Sequence, residues 1–104
     1  MDNKDFFKIY IPALELALNN DSINYGYYVR GPEYYIKKKY QNQIDSFIEN
    51  STEFSIFFDM VGYYFDALSH NFPNIQGVKL NDYKKKIIIE KNKLKNLFLN
   101  SNLN

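Results

Sequence analysis

Ser51-Thr52-Glu53-Phe54-Ser55-Ile56-Phe57-Phe58-Asp59-Met60-Val61-Gly62-Tyr63-Tyr64-Phe65-Asp66-Ala67-Leu68-Ser69-His70 is the stretch that decides the fold. Phe54, Phe57, Phe58, Val61, Tyr64, Phe65 and Leu68 recur at spacings of three and four, the apolar stripe of an α-helix. Ile56, Met60, Tyr63 and Ala67 form a second apolar row beside it, leaving Ser55, Asp59, Gly62, Asp66 and Ser69 as a narrow polar strip. Asn50-Ser51-Thr52-Glu53 supplies a side-chain acceptor with a glutamate three residues on, the pattern of a capping box. A helix apolar on most of its surface needs covering on most sides. The expectation is therefore an all-α bundle of four to five helices packed around residues 51–69 as its most buried helix.

Working outward, Phe7, Ile11, Leu14 and Leu18 form a helical row over Asn3 to Asn20, with Phe6, Tyr10, Ala13 and Ala17 beside it. Pro12 lacks a donor and clashes with the preceding turn, which predicts one kinked helix. In Ile23 to Pro32, Tyr25, Tyr27 and Val29 alternate as in a strand, but a lone strand has no partner in a helical chain. A short helix or ordered loop fits better, ended by Gly31. Pro32 suits the first turn of a helix running to about Glu49, with Ile36, Tyr40, Ile44, Phe47 and Ile48 inward. Asn71 to Gly77 reads as a loop, because Pro73 and Gly77 punctuate it. Asn81 or Asp82 then caps a last helix through about Asn100, with Tyr83, Ile87, Leu94, Leu97 and Phe98 inward. The flanking lysines and the 3–4 spacing favour helix over strand for Ile87-Ile88-Ile89. Residues 1–104 make a single domain whose last residues, 100–104, fray.

Composition narrows the chemistry. A chain of 104 residues buries roughly 65% of its unfolded surface. Nine Phe and ten Tyr, each able to bury about 150–250 Å², give it a core without metal or disulfide. Cysteine is absent, which removes disulfides, thiol catalysis and cysteine-ligated zinc together. The charged start Met1-Asp2-Asn3-Lys4-Asp5 is unlike a signal peptide. Asp59 and Asp66 interrupt the best apolar run well short of a membrane span. A soluble cytoplasmic protein is expected. Fourteen Asn, twelve Lys and eleven Ile against one Arg indicate an AT-rich gene.

The net charge of +1 is unevenly spread: residues 1–50 carry −1, residues 51–70 carry −3 and residues 71–104 carry +5. Asp59 and Asp66 lie two turns apart on one face, too far for shared proton chemistry. They either pair with lysines of the last helix or present an acidic strip to a basic partner. The sole histidine, His70, one turn after Asp66, lacks an identifiable nucleophile or orienting third group, so it reads as a helix-end residue. Metal-ligand spacings such as Glu-x-x-His are missing, and no cofactor is expected. Lys37-Lys38-Lys39 and Lys84-Lys85-Lys86 are short basic clusters beside aromatics, but a pI near 7.8 is low for a phosphate-binding domain. Nucleic acid is therefore the second choice of partner.

The tyrosines exceed what the core requires. Tyr25, Tyr27, Tyr28, Tyr34 and Tyr35 fall within eleven residues, with Arg30 among them. Tyr and Arg are the residue types enriched in protein–protein hot spots. A satellite cluster packed on the core remains the other reading of the same residues. In size, fold class, composition and lack of reactive groups, the chain resembles the small helical immunity proteins with which bacteria neutralise toxins. That resemblance implies no enzymatic activity and tight one-to-one binding to a cognate toxin domain. The candidate partner-binding residues are Tyr25, Tyr27, Tyr28, Arg30, Tyr34, Tyr35, Asp59 and Asp66. The alternative is a helical nucleic-acid-associated regulator or a phage accessory protein.

Overall fold

In the computed structural model, which describes residues 1–21 and 29–100, the chain folds as an all-α bundle with one small hairpin. Helix α1 (Asn3–Asn19) begins where the Asp2 carboxylate accepts the Asp5 N–H at 2.8 Å, a side-chain cap. Helices α2 (Gln41–Asn50), α3 (Ser55–Ser69) and α4 (Leu80–Phe98) follow. Strands β1 (Asn74–Ile75) and β2 (Val78–Lys79) pair antiparallel between α3 and α4.

The most completely buried helix is α1, not the helix over residues 51–69. Eight residues of α1, Phe6, Phe7, Tyr10, Ile11, Ala13, Leu14, Ala17 and Leu18, are at most 3% exposed. The ring contacts show why. Phe6 stacks on Phe47 of α2 at 3.9 Å and on Tyr10 at 5.0 Å, and meets Phe58 of α3 edge-on at 5.5 Å. Phe7, edge-on to Phe6 at 4.9 Å, stacks on Phe98 of α4 at 5.0 Å and meets Phe54 edge-on at 5.0 Å. Two consecutive phenylalanines thus engage all three other helices, and α1 sits between them. Pro12 falls on the exposed side of a helix that continues through it, so water can take the carbonyl it leaves unpaired.

The single helix expected from Pro32 to Glu49 is broken. Two 3-10 turns, Pro32–Tyr35 and Lys38–Tyr40, precede α2, separated by extended backbone at Ile36 and Lys37. The break buries Ile36 in the core and is stabilised by one side chain. Gln41 Nε2 donates to the Glu33 carbonyl at 2.7 Å and to the Ile36 carbonyl at 2.9 Å, taking the acceptors that helical N–H groups would have used. The capping box before α3 is also divided differently. Ser51 Oγ accepts the Phe54 N–H at 3.2 Å, whereas Asn50 turns back to donate to the Ser46 carbonyl of α2.

The last helix begins at Leu80, so Asn81 and Asp82 lie inside its first turn rather than capping it, and Ile87–Ile89 are helical. Tyr83, Ile87 and Leu94 are buried as expected, but Leu97 is exposed. Of the short helix or ordered loop expected over 23–32, residues 23–28 lie outside the described residues, and so do residues 101–104 of the end expected to fray.

Three lysines of α4 are held by α1 and the turn that follows it. Lys91 and Lys95 reach Glu15 Oε2 at 3.0 and 2.9 Å. Lys84 donates to the Leu18 carbonyl at 3.0 Å and pairs with Asp21 at 2.8 Å, placing a cation at the negative end of α1. The Tyr64 hydroxyl of α3 donates to the same Asp21 oxygen at 2.5 Å, so one carboxylate ties α1 to α3 and α4. Partial burial pushes the Glu15 carboxyl up, but hydrogen bonds from Lys95 and Lys91, with their charges, hold it below the usual glutamate value.

Candidate functional site

The second apolar row of α3, expected to be covered, is where the surface opens. With α1 holding the centre, α3 is covered on one side only. Ile56, Asp59, Tyr63, Asp66 and His70 follow at spacings of three and four, and all five are exposed. Ile56 is 76% and Tyr63 48% exposed, while Met60 is half-buried and Ala67 buried. This is an aromatic and aliphatic stripe bearing two carboxylates.

The C-terminal end of the stripe is shaped by backbone. The Phe72 N–H donates to the Ala67 carbonyl at 2.9 Å and the Asn71 N–H to Leu68 at 3.3 Å, with Asn71 at φ 57°, a Schellman ending. It turns the chain so that Phe72, 51% exposed, stacks on His70 at 5.5 Å. The hairpin then reverses at Gln76 and Gly77, whose φ values of 50° and 80° are the left-handed pair of a two-residue turn. Ile75 is tucked inward. Between α3 and the hairpin lies a cleft of about 200 Å³ lined by Tyr63, Asp66, Ala67, Phe72 and Ile75, with Asn74 and Gln76 at its edge.

Neither carboxylate of the stripe pairs with a lysine. Among the described residues Asp59 forms no ion pair, and Asp66 meets only His70, whose Nδ1 lies 3.3 Å from Asp66 Oδ1 and 2.9 Å from the Asp66 carbonyl oxygen. Internal pairing of these aspartates with the last helix, one of the two expectations, does not occur. Lys84, Lys91, Lys93 and Lys95 of the last helix are bound to Asp21, Glu15 and Glu90, and among the described residues Lys85 and Lys86 form no ion pair.

The tyrosine segment divides. Tyr25, Tyr27 and Tyr28 lie outside the described residues. The Arg30 guanidinium lies 4.1 Å over the Tyr34 ring, and Tyr34 is 59% exposed. Tyr35 meets Tyr34 edge-on at 5.1 Å and packs, half-buried, on the core. Tyr35 thus packs as a core residue, while its neighbour Tyr34 stands at the surface.

A larger open groove of about 1060 Å³ runs between α1 and α2, with Ile9, Tyr40, Phe47 and Phe54 among Asn3, Gln43, Asn50 and Thr52. Lys8, Asp5 and Glu53 stand along it with no ion pair between them. Among the described residues no three His, Asp or Glu side chains come together as a metal set. Among the described residues no helix is long and apolar enough to cross a membrane.

Sequence reasoning had Asp59 and Asp66 in the site but placed Ile56 and Tyr63 in the core and gave Phe72 no role. The second apolar row is the signal for Ile56 and Tyr63, whose exposure it does not encode, and no pattern in the sequence marks Phe72. The chain matches no protein-family model, and neither a curated protein nor a solved structure is detectably similar to it.

Proposed function

We propose that this chain is a small cytoplasmic protein-binding module of the immunity type, which neutralises a cognate toxin by occupying it in a one-to-one complex. The observation that carries the reading is the outer stripe of α3: Ile56 and Tyr63, with Phe72 beyond them, stand in water beside two aspartates that no lysine of the chain neutralises. Large apolar side chains grouped on a small surface mark interaction sites. Unpaired carboxylates among them favour a basic partner and accelerate encounter with it. A toxin that cleaves nucleic acid would offer such a basic cleft, with Asp59 and Asp66 taking the place of phosphates. Arg30 and Tyr34 form a second, smaller candidate contact. Occupation needs a stiff scaffold rather than a reactive group, and the ring cluster around Phe6 and Phe7 provides one.

The test is co-expression with the product of the adjacent gene, followed by alanine substitution at Ile56, Tyr63, Arg30 and Tyr34. Anchor positions should each cost about 2 kcal/mol or more of binding while the fold stays intact. The reading fails if no neighbouring gene encodes a toxin and no such product binds. The nucleic-acid alternative rests on Lys37, Lys38 and Lys39, all exposed beside the half-buried Tyr40. A sequence-selective complex with DNA or RNA tighter than about 10⁻⁸ M would favour it.

A further inference from the structure

We infer that the cleft between α3 and the hairpin is a receptor for a single arginine side chain supplied by a protein partner. The inference rests on the protein-binding reading above and specifies what that partner presents. Four features converge on this chemistry. The interior is apolar, through Ala67 and Ile75, and suits the methylene stem of a long side chain. Tyr63 and Phe72 are half-exposed rings, Phe72 with one face against His70, and a planar, weakly hydrated guanidinium stacks on such rings better than an ammonium. Asp66 supplies a carboxylate at the lip. His70 approaches Oδ1 alone, and among the described residues the other oxygen accepts no hydrogen bond, leaving room for a guanidinium fork. Asn74 and Gln76 add amide oxygens at the edge.

The chain's own cations do not fill the cleft. Lys84 is bound to Asp21, just after α1, and Lys91 and Lys95 to Glu15 on α1. Lys79, opposite Asn74 across the hairpin, is exposed and makes no ion pair. With a volume of about 200 Å³, the cleft holds one side chain rather than a peptide. The partner is therefore expected to insert one anchoring arginine here, while Ile56 and Asp59 meet the surface around it.

The test is a titration of isotope-labelled protein, followed by amide shifts in nuclear magnetic resonance. The probes are N-acetyl-arginine amide, its neutral citrulline counterpart and the lysine counterpart. The arginine probe should shift Tyr63, Asp66, Phe72 and Ile75, saturating in roughly the millimolar range of one side chain. It should bind about fivefold or more tighter than citrulline, with lysine between them, because only guanidinium combines stacking with a forked ion pair. Asp66→Asn should abolish the preference over citrulline. Shifts lying elsewhere, an equal response to citrulline, or an unchanged preference in Asp66→Asn would each overturn the inference. Asp66 is exposed and holds only His70, so this variant keeps the test decisive even if Tyr63→Ala disturbs the fold. A partner complex that ignores Asp66→Asn and Tyr63→Ala but responds at Tyr34 would overturn the arginine cleft and leave the binding function standing. Absence of any partner would remove that function, while the titration still decides whether the cleft takes guanidinium.

Discussion

Alanine at Phe6 and alanine at Ile56 should have opposite consequences, and the pair tests the arrangement on which the docking face depends. Phe6 is fully buried and touches four rings, those of Phe7, Tyr10, Phe47 and Phe58, from three helices. Removing a buried phenylalanine costs about 3–5 kcal/mol through transfer and cavity terms, and this site, hemmed by other rings, cannot collapse cheaply. For a chain of this length that is a fall in melting temperature of roughly 12–20 °C. Ile56 is 76% exposed, so only about a quarter of its burial energy is at stake. A fully buried isoleucine gains about 1.5–3 kcal/mol, a quarter of which is roughly 0.4–0.7 kcal/mol. Alanine's better helix propensity returns up to about 0.5 kcal/mol at that exposed position. The net effect should lie within about 0.5 kcal/mol of zero.

Urea unfolding followed by far-ultraviolet circular dichroism reads both, with the slopes expected to match wild type. If Phe6→Ala does not fold, Ile11→Val, at another fully buried α1 position, should still cost about 0.5–1.5 kcal/mol. A loss above about 1.5 kcal/mol for Ile56→Ala would mean that the outer row of α3 is core. A loss below about 1 kcal/mol for Phe6→Ala would displace α1 from the centre.

Three further outcomes follow from the contacts. Glu15→Gln should cost about 1–2 kcal/mol at neutral pH, since it unpairs the nearly buried Lys91 as well as the more exposed Lys95. Because the folded-state value of Glu15 is lowered, its contribution is present above the ordinary glutamate value of about 4.3 and disappears as pH falls through the folded value. The gap between wild type and variant should therefore close in acid; a gap independent of pH would contradict the ion pairs. Tyr64→Phe should cost about 1.5–3 kcal/mol, the range for a hydrogen bond to a charged group. Burial, then the bond to Asp21 and its charge, raise the Tyr64 hydroxyl, so its stabilisation holds below about pH 10 and is lost above it. The variant should lose part of the alkaline sensitivity and keep the part due to buried Tyr10, which is raised as well; an unaltered alkaline midpoint would count against the contact. Gly62→Ala, in mid-helix with open space around it, should stabilise by roughly 0.5–1 kcal/mol. Gly77→Ala, equally unobstructed but at φ 80°, should destabilise by about 1–2 kcal/mol. Equal melting temperatures for the two glycine variants would refute the hairpin turn.

Sequence periodicity gave the helices wherever a 3–4 pattern ran unbroken, as over residues 55–69 and 80–98, including the β-branched run Ile87–Ile89. It failed at Ile36–Lys37, because the side chain that stabilises the break, Gln41, acts through carbonyls five and eight residues back, which no local pattern encodes. It also ranked helices by apolar content. Helix 55–69 is the more apolar along its length, yet α1 is the more buried, since burial depends on how many neighbours a helix has. The acidic strip was legible from spacing. Whether its aspartates were paired was not, because that turned on where Lys84, Lys91 and Lys95 found their partners, between 63 and 80 residues away along the chain.

The commitment of those lysines joins stability to the surface. The basic helix α4 neutralises Glu15 and Asp21, while none of its lysines pairs with Asp59 or Asp66 of α3. One helix consequently carries two kinds of residue on opposite sides. Tyr64, Phe65 and Phe58 hold the fold, while Ile56, Tyr63 and Asp66, adjacent to them in sequence, contribute little to it. An exposed position and the buried one that directly follows it, Tyr63 and Tyr64, differ in what selection can do with them. At Tyr64 a change is limited by the bond to Asp21 and by burial. At Tyr63 a change leaves the core intact and is felt only by whatever docks against α3. If the proposed binding function holds, the outer row can be altered to follow a changing partner while the ring cluster around Phe6 and Phe7 keeps the helix in place.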